Sequence, residues 1–257
     1  PRIASVVEHH AVLAARVSAG QRRVAVLAVD PASLASGGAL LGDRTRVSFP
    51  SDDPRLFFRS QSSALALGGL GRMTFQTCRV LERLFDVVFV ETVGIGQSET
   101  EIRDVADRVY LVLQPLAGDH VQFMKAGIME IPDAFVLHKC DEERAARRSL
   151  HALRASLAFA RPDDEAQLPV FTTSAVTGRG IDALAEDVVA AIGLRRPTGI
   201  AASQNAFFTR WVEAEYGRRG LAALDGWSAP AAMDDAELAF HERFAEVMCG
   251  RAAAAER

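Results

Sequence analysis

Three apolar runs of the chain are each followed at once by side chains that could do chemistry. Val24–Val29 (VAVLAV) leads into Asp30-Pro-Ala-Ser, Val87–Val90 (VVFV) into Glu91-Thr92-Val93-Gly94-Ile95-Gly96-Gln97-Ser98, and Ala134–Leu137 (AFVL) into His138-Lys139-Cys140-Asp141. Carboxylates at such points can accept several hydrogen bonds or sit beside a hard cation, and glycine amides can come close to an anion because no Cβ stands in the way. A fourth run, Val170–Thr173, ends in Ser174-Ala175-Val176-Thr177-Gly178-Arg179-Gly180, a loop rich in hydroxyls and backbone amides.

These groups are useful only if the elements before them are fixed. The runs Val24–Val29, Val87–Val90, Val109–Leu113, Ala134–Leu137 and Val170–Thr173 are short, β-branched and nearly continuous, the pattern of strands buried on both faces of a parallel sheet. Between them lie amphipathic stretches of helical period: Val6–Ala19, Met73–Leu84, Val121–Met129, Ala145–Ala160 and Ile181–Ile192. Strand alternating with helix predicts an α/β fold with a doubly wound, mostly parallel sheet, in which ligands sit at the carboxyl ends of the strands. Residues 1–194 form that domain. From Arg195 the pattern changes: Arg-Arg-Pro-Thr-Gly reads as a linker, followed by a helix over Asn205–Arg219, a turn region over Leu224–Pro230 and a helix over Asp234–Ala253 with Asp234 and Asp235 as N-cap residues. Two helices without strands are expected to lack a core of their own. Residues 195–257 are therefore expected to be a C-terminal helical extension that packs back on the domain or serves as a dimerisation arm.

Composition removes several classes. The chain has 257 residues, 49 % hydrophobic and 24 % charged, which excludes disorder and collagen-like repeats. Its 29 basic and 33 acidic residues are interspersed and give a net charge of −4, so no nucleic-acid surface is expected. No apolar run reaches membrane-spanning length, and Cys78, Cys140 and Cys249 fall in neither a disulfide framework nor a zinc pattern. The expectation is a soluble protein of the reducing cytoplasm. Only Lys125 and Lys139 are lysines in a chain that otherwise uses arginine.

Motif by motif, the resemblances converge. Glu91 with Gly94 resembles the Walker B-type [DE]-x-x-G element of P-loop NTPases, where the acid lies near Mg²⁺ and the glycine amide approaches a γ-phosphate. His138-Lys139-Cys140-Asp141 resembles the Asn-Lys-x-Asp guanine motif of GTPases. There the Asp carboxylate accepts from the N1 and N2 donors of guanine, which adenine cannot supply, while the lysine stem lies over the base. His138 stands in place of the usual Asn, and its imidazole N–H is a donor that a purine acceptor could take. Ser174-Ala175-Val176 resembles the loop whose backbone amides close over guanine.

A domain of this kind should carry Gly-x-x-x-x-Gly-Lys-[Ser/Thr] before its first helix. The chain instead passes from Pro1-Arg2-Ile3-Ala4 directly to Ser5-Val6-Val7-Glu8. The expectation is that a phosphate loop of about ten residues is missing between Ala4 and Ser5, which leaves Ser5 at or beside the Mg²⁺-ligating position.

The combination of Asp30-Pro-Ala-Ser, Gly42-Asp43-Arg-Thr-Arg, Leu67-Gly68-Gly69, Glu91–Glu99, and Gly118-Asp119 ahead of Lys125-Ala-Gly-Ile resembles the MeaB/ArgK/MMAA branch of the SIMIBI-class P-loop GTPases. That resemblance implies a GTP-binding and GTP-hydrolysing chaperone of an adenosylcobalamin-dependent acyl-CoA mutase, gating cobalamin loading and protecting or reactivating the mutase. It implies GTP/GDP and Mg²⁺ as cofactors, slow turnover stimulated by the mutase, a homodimer, and the adenosyltransferase as a further candidate partner. By motif it places Asp30, Glu91 and Gly94 in catalysis and Ser5, Asp43 and Glu91 around Mg²⁺. Ser5, His138, Lys139, Asp141, Ser174, Ala175 and Val176 fall on the nucleotide, and Gly96, Gln97, Asp119, Gln122 and Lys125 in the switches. The competing readings are a nucleotide-free pseudo-GTPase adaptor and an ATP-dependent transport-linked kinase.

Overall fold

Residues 24–29 are the most completely apolar stretch of the chain, and in the computed structural model residues 24–30 form a central strand with positions 24–29 at most 1 % exposed. The structure describes residues 12–30, 53–62, 70, 73–92, 102–115, 129–163, 168–192, 200–227 and 233–255. They fall in two compact units, Pro1–Arg195 and Arg196–Arg257.

In the first unit the strands are β1 (Val24–Asp30), β2 (Leu56–Ser62), β3 (Val87–Glu91), β4 (Tyr110–Leu113), β5 (Ala134–Leu137) and β6 (Val170–Thr172). The helices are α1, described over residues 12–18, α2 (Thr74–Leu84), α3 (Ile102–Val105), α4 (Glu143–Ala160) and α5 (Ile181–Ala191). The strands make two three-stranded sheets, ordered β2-β1-β3 and β4-β5-β6, and every pairing is parallel. Parallel neighbours need a crossover, and between β5 and β6 helix α4 supplies it. The parallel α/β architecture expected from the alternation of strand and helix is the one observed.

Successive side chains of a strand point to opposite faces, and each face is covered. Val24 and Val26 pack with Leu13, Ala14 and Val17 of α1 and with Leu184 and Val188 of α5. Ala25 and Leu27 pack with Cys78 and Leu81 of α2. In the second sheet Val136 joins the α1/α5 side, while Phe135 packs with Met129 and with Leu153 and Leu157 of α4. Each fully buried Leu or Phe removes enough apolar surface from water to contribute about 1.5–3 kcal/mol. At the amino end of β4, Tyr110 donates to Asp187 of α5 at 2.6 Å and Arg108 pairs with the same carboxylate at 2.9 Å. Burial, aided by that carboxylate, pushes the Tyr110 phenol well above its ordinary range.

Several boundaries differ from expectation. Strand β2 was not foreseen. Its residues alternate between half-buried and exposed, with Phe57 and Arg59 outward, because it is an edge strand, and Arg59-Ser60-Gln61 hides the apolar signal. The four-residue α3 is too short to leave a periodic trace. Helix α4 begins two residues before Ala145, and β4 begins one residue after Val109. Of the stretch predicted helical over Val121–Met129, only Met129 lies within the described residues.

The second unit holds α6 (Ile200–Ala223) and α7 (Met233–Ala255). Helix α7 starts at Met233, so Asp234 and Asp235 stand inside its first turn rather than at the N-cap. Helix α6 is interrupted at Gly217, whose φ of 61° and ψ of −153° only glycine adopts readily. Contrary to the expectation of no core, Phe208, Val212, Ala223, Ala236 and Phe240 form a buried cluster ringed by Trp211, Tyr216, Trp227 and Phe244. Large rings make this feasible for two helices. Phe208 stacks on Trp227 at 5.1 Å between ring centres and meets Phe240 edge-on at 5.6 Å.

Candidate functional site

Strands β5 and β6 lie side by side with Leu137 opposite Thr172, so the segments that follow them emerge together. The ladder is prolonged by backbone bonds beyond the strands: His138 N–H donates to Leu113 O at 2.7 Å, Thr173 N–H to Leu137 O at 2.8 Å, and Cys140 N–H to Thr173 O at 3.0 Å. To turn after His138 the chain takes a left-handed conformation at Lys139, with φ of 60°, which is uncommon for a residue bearing a Cβ. The opposite loop, residues 173–180, closes on itself through Gly178 N–H to Ser174 O and Ser174 N–H to Arg179 O, both 3.0 Å. Gly180 ends it with φ of 73°, and a Cβ there would lie 2.1 Å from Thr172 O, so the backbones meet where no side chain fits.

One carboxylate is presented by this frame. Ser174, fully buried, accepts the Thr177 N–H at 3.1 Å on its hydroxyl oxygen, which directs the hydroxyl hydrogen outward to Asp141 Oδ1. Asp141 itself is exposed, and its Oδ2 has no hydrogen-bond partner among the described residues. Lys139 is half-buried beside it and makes no ion pair among the described residues. His138 turns inward: it is 1 % exposed, with Nδ1 3.2 Å from Thr173 Oγ1. Cys140 is buried, its thiol donating to Leu137 O, and burial raises the thiol pKa so that it stays protonated and unreactive. Ala175 is half-buried, while Val176 is 87 % exposed at the loop tip.

The acids assigned to phosphate chemistry belong to the other sheet. Glu91 is the last residue of β3, half-buried, with Ala28 of β1 opposite it; Asp30 closes β1 opposite Ser62 of β2. Glu91 offers hard carboxylate oxygens of the kind Mg²⁺ takes. Among the described residues no group of three His, Cys, Asp or Glu side chains is placed to hold a metal. Ser5, Asp43, Gly94, Gly96, Gln97, Asp119, Gln122 and Lys125 lie outside the described residues, as does the junction between Ala4 and Ser5.

The structure thus brings His138, Lys139, Asp141, Ser174, Ala175 and Val176 into one loop pair. It adds three residues that the motifs left without a role: Thr173 on the imidazole, Thr177 on the serine hydroxyl, and Arg179, which donates to the Cys140 carbonyl. Thr173 and Thr177 stand in the same motif segment and their hydroxyl and amide were visible there. Arg179 gave no signal, since its partner is a main-chain carbonyl 39 residues away. For a guanine the donor–acceptor chemistry fits: an oriented, solvent-facing carboxylate has capacity for two adjacent N–H donors.

Residues 6–214 match the family model described as Methylmalonyl Co-A mutase-associated GTPase MeaB. A Pyrococcus horikoshii protein named as a GTPase is 43 % identical over 169 residues, covering 64 % of this chain and 53 % of that protein. The mitochondrial methylmalonic aciduria type A homolog of Caenorhabditis briggsae is 36 % identical over 161 residues, covering 62 % of this chain and 39 % of that protein. The chain spans about half the length of the first curated relatives it matches. Among solved structures, HypB from Helicobacter pylori in complex with nickel shares the fold with a TM-score of 0.52 at 11 % identity, over 74 % of this chain and 85 % of that one. No helix of the described residues is long and apolar enough to cross a membrane.

Proposed function

The chain belongs to the MeaB family, and from that premise we propose that it is a guanine-nucleotide-dependent chaperone of an adenosylcobalamin-dependent acyl-CoA mutase, with GTP hydrolysis as its switch. The observation that carries the nucleotide choice is the Thr177–Ser174–Asp141 relay, which holds one exposed carboxylate at the carboxyl ends of β5 and β6. Asp141 accepts the N1 and N2 donors of guanine, the Lys139 stem covers one face of the base, and the amides of Ser174, Ala175 and Val176 close the other side. His138, fastened to Thr173, holds the turn that sets Lys139 and Asp141.

At the phosphate end Glu91 and Asp30, with Asp43 and Ser5, would hold a Mg²⁺ ion and its waters, and the ion would neutralise charge on the transferred phosphoryl group. The Gly94 amide contacts the γ-phosphate oxygens. Water attacks the γ-phosphorus, the bond to the β–γ bridging oxygen breaks, and inorganic phosphate is released from GDP, so the contacts that order Gly96 and Gln97, and the second switch formed by Asp119, Gln122 and Lys125, are lost. The surface offered to the mutase changes with them, and cobalamin loading or removal is gated by that change. The partner completes the catalytic geometry, so turnover is slow alone and faster with the mutase. Residues 195–257 act as a dimerisation arm, the adenosyltransferase is a further partner, and the site of action is the cytoplasm.

The test is nucleotide competition followed by turnover. The full-length protein is expected to bind GTP and GDP at least tenfold more tightly than ATP, on the order expected for one unmet pair of hydrogen bonds. D141N is expected to shift preference toward xanthine nucleotides, whose 2-oxo group accepts from the new amide. Equal affinity for GTP and ATP would sink the guanine reading; GTP hydrolysis unaffected by any cobalamin-dependent acyl-CoA mutase would sink the chaperone reading.

A further inference from the structure

The guanidinium of Arg179 crosses from the β6 loop to the β5 loop, donating through Nη2 to the carbonyl of Cys140. Its Nη1 also stands 3.9 Å from Glu143 Oε1 in the first turn of α4. The Cys140 carbonyl belongs to the peptide unit that carries Asp141, so its orientation sets the direction in which the Asp141 side chain leaves the backbone. The preceding peptide is pinned as well, since Cys140 N–H donates to Thr173 O at 3.0 Å. A closed ring results. Asp141 Oδ1 accepts from Ser174 Oγ, Ser174 N–H donates to Arg179 O, Arg179 Nη2 donates to Cys140 O, and Cys140 is bonded covalently to Asp141.

We propose that Arg179 is a specificity-determining positioning residue: by clamping the Cys140 carbonyl it aligns both oxygens of the Asp141 carboxylate for two adjacent donors of the base. The inference rests on the guanine reading above. Its physical content is angular. Two parallel hydrogen bonds tolerate less rotation of the carboxylate than one does. Loss of the clamp therefore penalises a base with two donors more than a base with one. Guanine presents N1–H and the 2-amino group; hypoxanthine presents N1–H alone. The clamp is a charge-assisted bond to a backbone carbonyl on a partly exposed side chain, which places the effect near the lower end for such bonds, about tenfold.

The experiment measures equilibrium dissociation constants of GDP and IDP, by displacement of a fluorescent guanine nucleotide from the full-length protein. Wild type, R179A, R179K and R179Q are compared, and thermal unfolding of each variant is recorded. We expect R179A to weaken GDP about tenfold and IDP far less, so that the preference for GDP over IDP collapses. R179K, which keeps a cation able to reach one carbonyl, recovers part of that preference, and R179Q serves as the uncharged variant if R179A does not fold. A wild type without preference for GDP over IDP overturns the guanine reading and the inference with it. A wild type that prefers GDP, with variants that keep the same preference, or that lose both nucleotides in equal proportion, overturns the role of Arg179 alone.

Discussion

Removing the Ser174 hydroxyl cuts the Thr177–Ser174–Asp141 relay at its centre while leaving the fold and the carboxylate in place. The hydroxyl oxygen accepts Thr177 N–H at 3.1 Å and its hydrogen goes to Asp141 Oδ1. A hydrogen bond to an ionised carboxylate contributes about 1.5–3 kcal/mol, and the exposure of Asp141 brings the figure to the bottom of that range because water replaces the lost donor. About 1.4 kcal/mol corresponds to tenfold in affinity, so S174A is expected to bind GDP about tenfold more weakly. The effect is routed through Asp141, and a double-mutant cycle isolates it. In a D141A background, where no carboxylate remains to orient, the same S174A change should alter GDP affinity by less than about twofold, a coupling of about 1 kcal/mol between the two sites. Fluorescent nucleotide titration of the four proteins gives the cycle directly. Equal losses from S174A in both backgrounds would show that the serine acts on the loop as a whole, and the relay argument would fail.

Two further outcomes concern the frame. G180A places a Cβ 2.1 Å from Thr172 O at a φ of 73°, so both backbone strain and collision oppose it; urea unfolding should show a loss of at least about 2 kcal/mol, and a loss under 0.5 kcal/mol would refute the close approach. Asp53 is bonded to Arg55 through side-chain and backbone donors, which holds its carboxyl at about 2 instead of the ordinary 3.8. A depressed carboxyl stabilises the fold above its unfolded pKa and ceases to do so as pH falls through the folded one. The stability gap between wild type and D53N should therefore stay constant above pH 4 and close between pH 4 and 2; a gap independent of pH would contradict it.

What was legible in the sequence follows burial. Val24–Val29 and Ala134–Leu137 sit at the centres of their sheets, are covered on both faces, and so read as unbroken apolar runs. Edge strand β2 leaves no clear apolar run because Phe57 and Arg59 face outward, which lets Arg59 interrupt the pattern without cost to the core. In the second unit the residue types were visible but not their consequence: rings as large as Trp211, Trp227 and Phe240 let two helices close a cluster that smaller side chains would leave open. In the loops that follow β5 and β6 the motif residues announce themselves by type and spacing. The groups that orient them do not: Arg179 meets the main-chain carbonyl of Cys140, and the Ser174 hydroxyl is met by the main-chain N–H of Thr177, and a main-chain contact leaves no constraint on the side chain of the residue that supplies it. His138 is the intermediate case: its place in the motif is plain from its identity, but only the fold reveals that the ring is buried against Thr173.

The left-handed backbone of Lys139 sets stability against the base contact proposed for its side chain. A residue with a Cβ holds that conformation at a cost of about 1 kcal/mol relative to glycine. The fold alone would thus be better served by glycine at residue 139, and the lysine side chain is what the loop gains in exchange. Screening for thermal stability alone would favour its removal, whereas screening for nucleotide retention would favour its return. Stabilised forms of this protein are therefore better sought in its helices and edge strands than in the turn that follows β5.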